Sequence, residues 1–457
     1  MDCTFEERKE QLENECTVKM PQFSTCLERL TTFLIPLVRS LRWQKHRDYA
    51  ETVVKGLCSD LARKNAESIA YHFGLERKAI QHFVGESEWD DVPLRKELAS
   101  QIGTALGEAD GILIMDPSSF VKSGRESVGV ARQWCGRLGK VDNCQVGLYL
   151  GYASSRGHAL VDCELYLPEE WTSDKKRLQK AGVPSGQRVH KTRHTIFLEL
   201  LERHRTSLPH AWITGDDELG RPIEFRRKLH ALREQYLLAV PCNTKINVLD
   251  AEPRDGAPVR PPSVRSSIQI RRWAADQPEE QWTKIDVRDT EKGPLIVELL
   301  KCPVETGRRS PAGIAQETAI AIRYKDRDRS VVKQDYYLSN AAAKTSDSEY
   351  ARVAKAEHRI EECFQRAKGE AGMGDYEVRN WTGWHHHQTL SLITSWFLNV
   401  ETRRAEKKDS GDHIQSSASD HCLYHPSDSR MRFTPRCRLS GYQTTRAKPT
   451  RQAVPLA

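Results

Sequence analysis

Three acidic residues stand in settings where they could do chemistry together. Asp116 and Asp216 each close a short apolar run typical of a β-strand, and Glu361 lies in a charged, helix-compatible stretch. Two carboxylates at strand ends facing a third on a helix form a donor set for Mg²⁺, which prefers carboxylates, waters and phosphate oxygens. Two such ions can hold both the attacking and the leaving oxygen of a phosphoryl displacement. The chemistry indicated is the cutting and joining of nucleic acid, with two Mg²⁺ ions as cofactor and Mn²⁺ as a substitute.

The composition excludes several other classes of protein. The chain has 457 residues, enough for two to four structural units at about 150 residues each. Its 12 cysteines are scattered singly without a Cys-x-x-Cys pair, which disfavours a disulfide framework or a zinc site. No window approaches the ~20 apolar residues of a membrane span, and the N-terminus is charged where a signal peptide would be apolar. We therefore expect a cytoplasmic protein that does not bind membranes.

Positive charge is concentrated at the C-terminal end. The net charge is +7, and the segment from Thr402 onward holds eleven Lys/Arg against five Asp/Glu. This segment, 402–457, loses hydrophobic periodicity, so we expect a basic tail with little fixed structure. Such a tail either binds a polyanion by releasing counterions or is simply solvated, and both interpretations stay open.

The elements that must position the acidic residues change along the chain. Residues 1–105 carry apolar residues at helical spacing, which predicts an N-terminal helical domain suited to DNA binding. Residues 106–240 read as three strands, a helix, a strand, a helix and a strand. That order predicts a ribonuclease-H-like α/β catalytic layer, in which Asp116 and Asp216 meet at adjacent strand ends.

The interval between Asp216 and Glu361 is longer than a simple connection requires. Strand-like runs within it predict a β-rich insertion over residues 241–335. Residues 336–401 then return to helical spacing and carry Glu361. The predicted fold class is therefore α/β, with a ribonuclease-H-like layer, a β-rich insertion and a preceding helical domain.

Several blocks, in order, resemble the transposases of bacterial insertion sequences in the DDE superfamily, in the branch with a β-strand insertion before the catalytic glutamate. The blocks are DPSSFVKSG from Asp116, SVGVARQWCGRLGKVDNCQV from Ser127, WITGDDELG from Trp212, YLLAVP from Tyr236, RIEECFQRAKGEAGM from Arg359 and YEVRNWTGW from Tyr376. The resemblance covers roughly residues 20 to 400.

The resemblance implies roles for individual residues. Asp116, Asp216 and Glu361 become the catalytic, metal-binding triad. Lys368 lies two helical turns after Glu361 on the same face, where it can hold a DNA phosphate. Lys122 is a further candidate phosphate contact.

The chain departs from the family pattern just ahead of Glu361. Members commonly carry Tyr and Arg where this chain has Ala354 and Glu357. Arg359 or Arg352 is then the candidate to replace the missing arginine, and we include Arg359 among the phosphate-binding residues.

Other residues compete for these roles. Asp217 and Glu362 are the immediate neighbours of the proposed ligands, and Gly220 and Lys368 favour Asp216 and Glu361 by their spacing. The pair Trp273 and Trp282 either stacks on a flipped base or lies in the core. The three consecutive histidines from His385 point in different directions on a helix, which disfavours a metal site there.

The sequence thus predicts a DNA transposase that cuts and joins the ends of its own element. Its partners are double-stranded DNA, at the transposon ends and the target, and a second copy of the chain in synapsis. We expect it in the bacterial cytoplasm, associated with the nucleoid. The alternative is a catalytically weakened DNA-binding protein that occupies transposon ends and represses transposition. A two-carboxylate glycosidase leaves Lys368 unexplained.

Overall fold

The structure is a computed structural model. It describes residues 25–249, 267–290, 293–306, 316–325, 331–409, 420–424 and 431–435. The expectations for residues 1–24 and for most of the chain beyond 409 lie outside the described residues.

The first described part of the chain forms five helices around a shared core. Leu30, Leu34 and Leu37 recur at helical spacing in the first of them and are buried. Asn65 begins the third helix, where its side chain accepts a hydrogen bond from the Ser68 backbone N–H. Helices this short depend on packing of their apolar faces for stability. They are α1 (Cys26–Val38), α2 (Gln44–Leu57), α3 (Ala66–His72), α4 (Arg77–Gly85) and α5 (Val92–Leu106).

The second part is an α/β layer. Its strands are β1 (Ile112–Val121), β2 (Ala131–Cys135), β3 (Lys140–Ser154), β4 (Gly157–Leu165), β5 (Trp212–Gly215) and β6 (Tyr236–Ala239). Strand β3 pairs antiparallel with β1, β2 and β4, whereas β5 pairs parallel with β1 and with β6. Three antiparallel strands followed by two parallel ones, in the spatial order β4-β3-β1-β5-β6, is the ribonuclease-H-like arrangement. The predicted α/β fold class is confirmed.

Helices connect the strands of this layer. Between β4 and β5 lie α6 (Glu169–Thr172), α7 (Lys175–Lys180) and α8 (Arg193–His204), and between β5 and β6 lie α9 (Asp217–Gly220) and α10 (Ile223–Ala231). Connections of this kind allow two neighbouring strands to run parallel.

Strands after β6 continue the same sheet. They are β7 (Lys245–Val248), β8 (Ile268–Gln269), β9 (Thr283–Thr290), β10 (Gly293–Glu305), β11 (Glu317–Lys325) and β12 (Val331–Ser339), with α11 (Ile270–Ala275) between β8 and β9. Strand β12 pairs antiparallel with β6, and β11 and β10 follow outward. A buried polar cluster secures this junction: Arg226 donates to Glu317 at 2.8 Å and the Tyr236 hydroxyl donates to the same carboxylate at 2.7 Å.

The last described helices are α12 (Asp347–Ala354), α13 (Ala356–Glu370) and α14 (Trp381–Asp409). Helix α14 runs past residue 402, where the basic tail was expected to begin. Glu401 explains part of this difference, because it pairs with Arg29 of α1 at 2.6 Å and with Arg404 at 3.0 Å. Beyond α14 the described residues form one antiparallel pair, β13 (Asp420–Tyr424) with β14 (Met431–Pro435).

No helix among the described residues combines the length and the apolar character needed to cross a membrane.

Candidate active site

Asp116 and Asp216 lie side by side on neighbouring parallel strands. The register of β1 and β5 places Met115 beside Gly215, and the residue that follows each of them in the sequence is an aspartate. Asp116 does not end its strand, since β1 continues to Val121 against the long partner β3. It is nevertheless level with the carboxyl end of β5. The structure therefore places the two aspartates next to each other, with Asp116 inside a long strand and Asp216 at the end of a short one.

The two carboxyls share a desolvated, acidic environment. Burial raises the pKa of Asp116 well above its usual range, and the charges of Asp216 and Glu361 raise it further while Lys368 opposes them. Burial also raises the pKa of Asp216 to about 6, against the hydrogen bond from the Leu219 backbone N–H. Both residues therefore hold their charge at an energetic cost, which a bound cation would remove.

Asp216 also has a structural role. It is the N-cap of α9, and its Oδ1 accepts the Leu219 backbone N–H at 3.1 Å. Its neighbour Asp217 is exposed. At Gly220 an added Cβ would lie 1.8 Å from the Ala239 carbonyl oxygen, so a side chain there would push α9 away from β6.

Helix α13 lies across the aspartate pair. Ile360 packs where Gly151 of β3 leaves room, since a Cβ there would come within 2.9 Å of it. The Phe364 ring meets the Tyr149 ring edge-on at 5.1 Å between centroids. Near the end of the helix, Lys368 reaches β1. These contacts fix which side of α13 faces Asp116.

Glu361 lies at the exposed rim of this arrangement. Its side chain is 72% exposed and its carboxylate is 3.5 Å from His358. Its charge nonetheless acts on Asp116. Its competitor Glu362 lies on another side of the helix, where it contacts His158 at 3.5 Å and Arg359 at 3.7 Å.

Glu357 is the residue that the sequence analysis did not assign to the site. Its Oε1 is buried and has no hydrogen-bond partner. Burial raises its pKa well above the usual range, and the charges of Asp116, Asp216 and Asp335 add to the effect. Its position one helical turn before Glu361 was a sequence signal for this placement, but the family pattern expects arginine there.

The predicted phosphate-binding residues separate into three places. The Lys368 Nζ donates to the Ser118 Oγ at 2.7 Å, two residues beyond Asp116 on β1. Lys122 lies over the Tyr376 ring at 3.6 Å, and burial lowers its pKa to about 8. Arg359 contacts Glu362 on the other side of α13. Of the three, Lys368 is the one whose charge is felt by Asp116.

These carboxylates fit a divalent cation by the chemistry of the donor set. Among the described residues, no three His, Cys, Asp or Glu side chains already enclose a metal-sized position. The donors that converge are all carboxylate oxygens, the ligands of Mg²⁺ and Mn²⁺. The unpartnered Glu357 Oε1 adds a buried acceptor that lacks a donor. The candidate site so defined groups Asp116, Asp216 and Glu357, with Glu361 at its exposed rim and Lys368 beside it.

Two further groups of residues that the sequence analysis considered, a pair of tryptophans and a run of three histidines, lie in the core. Trp273 and Trp282 are 5% and 7% exposed and pack together with residues of β7 and of β10 to β12. His385, His386 and His387 are buried and contact different partners: a carboxylate of β4, the Trp89 ring and the Gly372 carbonyl.

Comparison with known proteins places the chain in a family. Residues 36–294, more than half of the chain, match the model of the DDE superfamily endonucleases. The chain belongs to this family. The matched region includes both Asp116 and Asp216 and ends before α13.

Individual relatives are more distant. A protein described as the probable transposase for insertion sequence element IS701, from Microchaete diplosiphon, is 38% identical over 89 residues, which are 19% of this chain. The chain spans 23% of that relative's length. Among solved structures, a piggyBac transposase synaptic complex with hairpin DNA has a TM-score of 0.38 at 12% identity, covering 86% of this chain and 75% of that chain.

Proposed function

We propose that this chain is a transposase that cuts and joins DNA at the ends of a bacterial insertion sequence. The observation that carries the proposal is the pairing of Asp116 with Asp216 on parallel neighbouring strands, beneath the helix that bears Glu361 and Lys368. Membership of the DDE superfamily endonucleases supports a nuclease. The named relative supports an insertion-sequence transposase.

Asp116, Asp216 and Glu361 would hold two Mg²⁺ ions, for which Mn²⁺ can substitute. When bound, such ions activate water or a 3′ hydroxyl and stabilise the charge of an in-line phosphoryl displacement. Glu357, on the same helix as Glu361, would supply a fourth carboxyl next to the pair. Because like charges crowd this site, the protein's own contribution is to keep several carboxylates desolvated and ready for a cation.

Lys368 is suited to orient the DNA backbone. Its ammonium lies beside β1 and donates to the Ser118 hydroxyl. A phosphate is a stronger acceptor than a hydroxyl, so we expect the ammonium to exchange Ser118 for a DNA phosphate. Lys122 and Arg359, which lie elsewhere, would contact backbone farther from the cleaved bond.

The partners follow from the reaction. The substrate is double-stranded DNA, at the element's ends and at the target. Because a metal site contacts backbone rather than base edges, end recognition must come from other parts, and we assign it to the N-terminal helices and the insertion. Joining two ends requires a synaptic dimer. The working location is then the bacterial nucleoid.

The test is cleavage of a labelled duplex that carries the end of the flanking element. Wild-type protein is expected to cut it in Mg²⁺ or Mn²⁺ and not in EDTA. Glu361→Gln should bind the duplex equally well and cut it at least about a hundredfold more slowly, because a metal ligand is lost while the fold is not. Full cleavage by Glu361→Gln would remove Glu361 from the triad.

The second candidate is a catalytically weakened protein that occupies the ends and represses transposition. One observation favours it: Glu361 is exposed and contacts His358 instead of facing inward. In the same assay, a wild-type protein that binds the end duplex in Mg²⁺ and leaves it uncut would support the repressor.

A further inference from the structure

The hairpin of β2 and β3 exposes an unusual group of apolar side chains. Trp134, Leu138 and Val141 are 56%, 43% and 51% exposed. Trp134 is directly opposite Val141 in the β2–β3 register, so both lie on one face of the hairpin. Leu138 lies in the turn between them. A group of neighbouring exposed apolar side chains commonly marks a contact surface.

The same hairpin is basic. Arg132, Arg137 and Lys140 are exposed, and one carboxylate, Asp142, lies among them and pairs with Lys140 at 3.1 Å. An aromatic ring surrounded by cations suits nucleic acid, since phosphates pair with the cations while a base covers the ring.

The hairpin stands beside the aspartate pair. Arg193 connects the two: it donates to Gln133 of β2 at 3.4 Å and to Glu218 at 2.6 Å. Glu218 follows Asp216 by two residues. From the other side, burial lowers the pKa of Lys368 and the charge of Arg137 in the turn lowers it further.

The exposed face of the hairpin lies on the same side of the sheet as Asp116, because Asp116 is opposite Tyr149 of β3 and Tyr149 is an even number of residues from Val141. This face is therefore within reach of DNA whose phosphate lies at the site.

We propose that Trp134 stacks on an unpaired base next to the phosphodiester that the site cuts, with Arg132 and Arg137 holding the flanking phosphates. The proposal rests on the proposed function. Trp134 suits this role because an indole face binds any base and costs little conformational entropy. Trp273 and Trp282, which the sequence offered for stacking, are buried in the core of the insertion.

The experiment compares two DNA probes in EDTA, so that nothing is cut. One is a blunt duplex carrying the element's end, and the other is the same duplex with an unpaired extension of about six nucleotides, within the usual range of single-strand sites. The first unpaired base is 2-aminopurine. Affinity is measured by fluorescence anisotropy, and stacking by quenching of the 2-aminopurine emission.

Wild-type protein is expected to prefer the extended probe by about tenfold and to quench its emission. Trp134→Leu, which keeps apolar bulk without a ring face, should lose the preference and the quenching while it binds the blunt duplex as before. Trp134→Phe should retain most of both, which separates stacking from a folding defect.

Three outcomes overturn the proposal. If Trp134→Leu retains the preference and the quenching, another group stacks on the base. If wild-type protein binds both probes equally, no unpaired base is bound. If wild-type protein binds neither probe, the proposed function fails and the stacking role fails with it.

Discussion

Asp116→Asn should lower the rate of end cleavage in Mg²⁺ by about a thousandfold or more, as expected when one member of a unit that acts together is removed. Asp116 is the centre of the acidic group, because the charges of Asp216, Glu361 and Lys368 all act on it. Asparagine keeps the shape and removes the charge. Cleavage of the labelled end duplex under single-turnover conditions measures the effect.

The fold should survive this change. Asp116 is partly buried among other acids, so replacing it removes a like-charge repulsion, and the thermal midpoint without metal is expected to stay the same or rise. Asp110→Asn is the matched control. Asp110 precedes the same strand, is 61% exposed and lies 3.8 Å from Arg352, so its loss should leave cleavage unchanged. Equal losses in both variants would contradict a specific role for Asp116.

Asp162→Asn should reduce the free energy of unfolding by about 3–5 kcal/mol, the range for breaking a buried ion pair on one side. Asp162 is fully buried on β4 and accepts from Arg95 at 2.5 Å, Arg203 at 2.7 Å and His204 at 2.6 Å. Arg95 itself is 2% exposed. Removing the carboxylate takes from this buried guanidinium the negative charge that it contacts at 2.5 Å.

This network joins three parts of the fold: helix α5, strand β4 and helix α8. Urea denaturation of wild type and variant measures the loss. Glu199→Gln is the control, since its partner Lys191 lies at 2.9 Å on the surface and exposed pairs contribute at most about 1 kcal/mol. A loss for Asp162→Asn no larger than the control's would show that the network contributes little.

The same network predicts how stability changes in acid. Burial alone would raise the pKa of Glu164, but the Arg95 charge and the hydrogen bond to His385 hold it at about 2. The pKa of Asp162 is lowered as well, against burial, by Arg95 and His204. A carboxyl whose pKa is lower in the folded state than in the unfolded state stabilises the fold above its unfolded pKa of about 4. That stabilisation is lost as the pH falls through the folded-state pKa. Unfolding should therefore become easier below about pH 4.

Part of this site was predictable because it depends on local pattern. The apolar runs before Asp116 and Asp216 identify strands, and a helical connection between them favours parallel neighbours. The spacing of Glu361 and Lys368 predicts a shared helix face, but Lys368 reaches Ser118 of β1 whereas Glu361 is exposed. Strand ends, by contrast, depend on the partner: β1 extends past Asp116 because β3 pairs with it along its whole length.

The spacing places Glu357 near Glu361 on α13, but it does not show which of the two points inward. Whether Glu357 or Glu361 points inward depends on the rotation of α13, and that rotation is set by contacts with distant residues. Ile360 fits over Gly151, and Lys368 reaches Ser118. The burial of Trp282 and the exposure of Trp134 likewise follow from long-range strand pairing, which a residue's neighbours in sequence do not encode.

Thermal unfolding in rising Mn²⁺ tests, without relying on cleavage, whether the carboxylates of β1, of the residue after β5 and of α13 hold divalent cations. A ligand that binds the folded state raises the thermal midpoint with its concentration. We expect such a rise in wild type and its loss in a variant carrying both Asp116→Asn and Asp216→Asn. Glu357→Gln should show a smaller rise, and Asp110→Asn should show the same rise as wild type. A rise in the double variant equal to that of wild type would contradict the account.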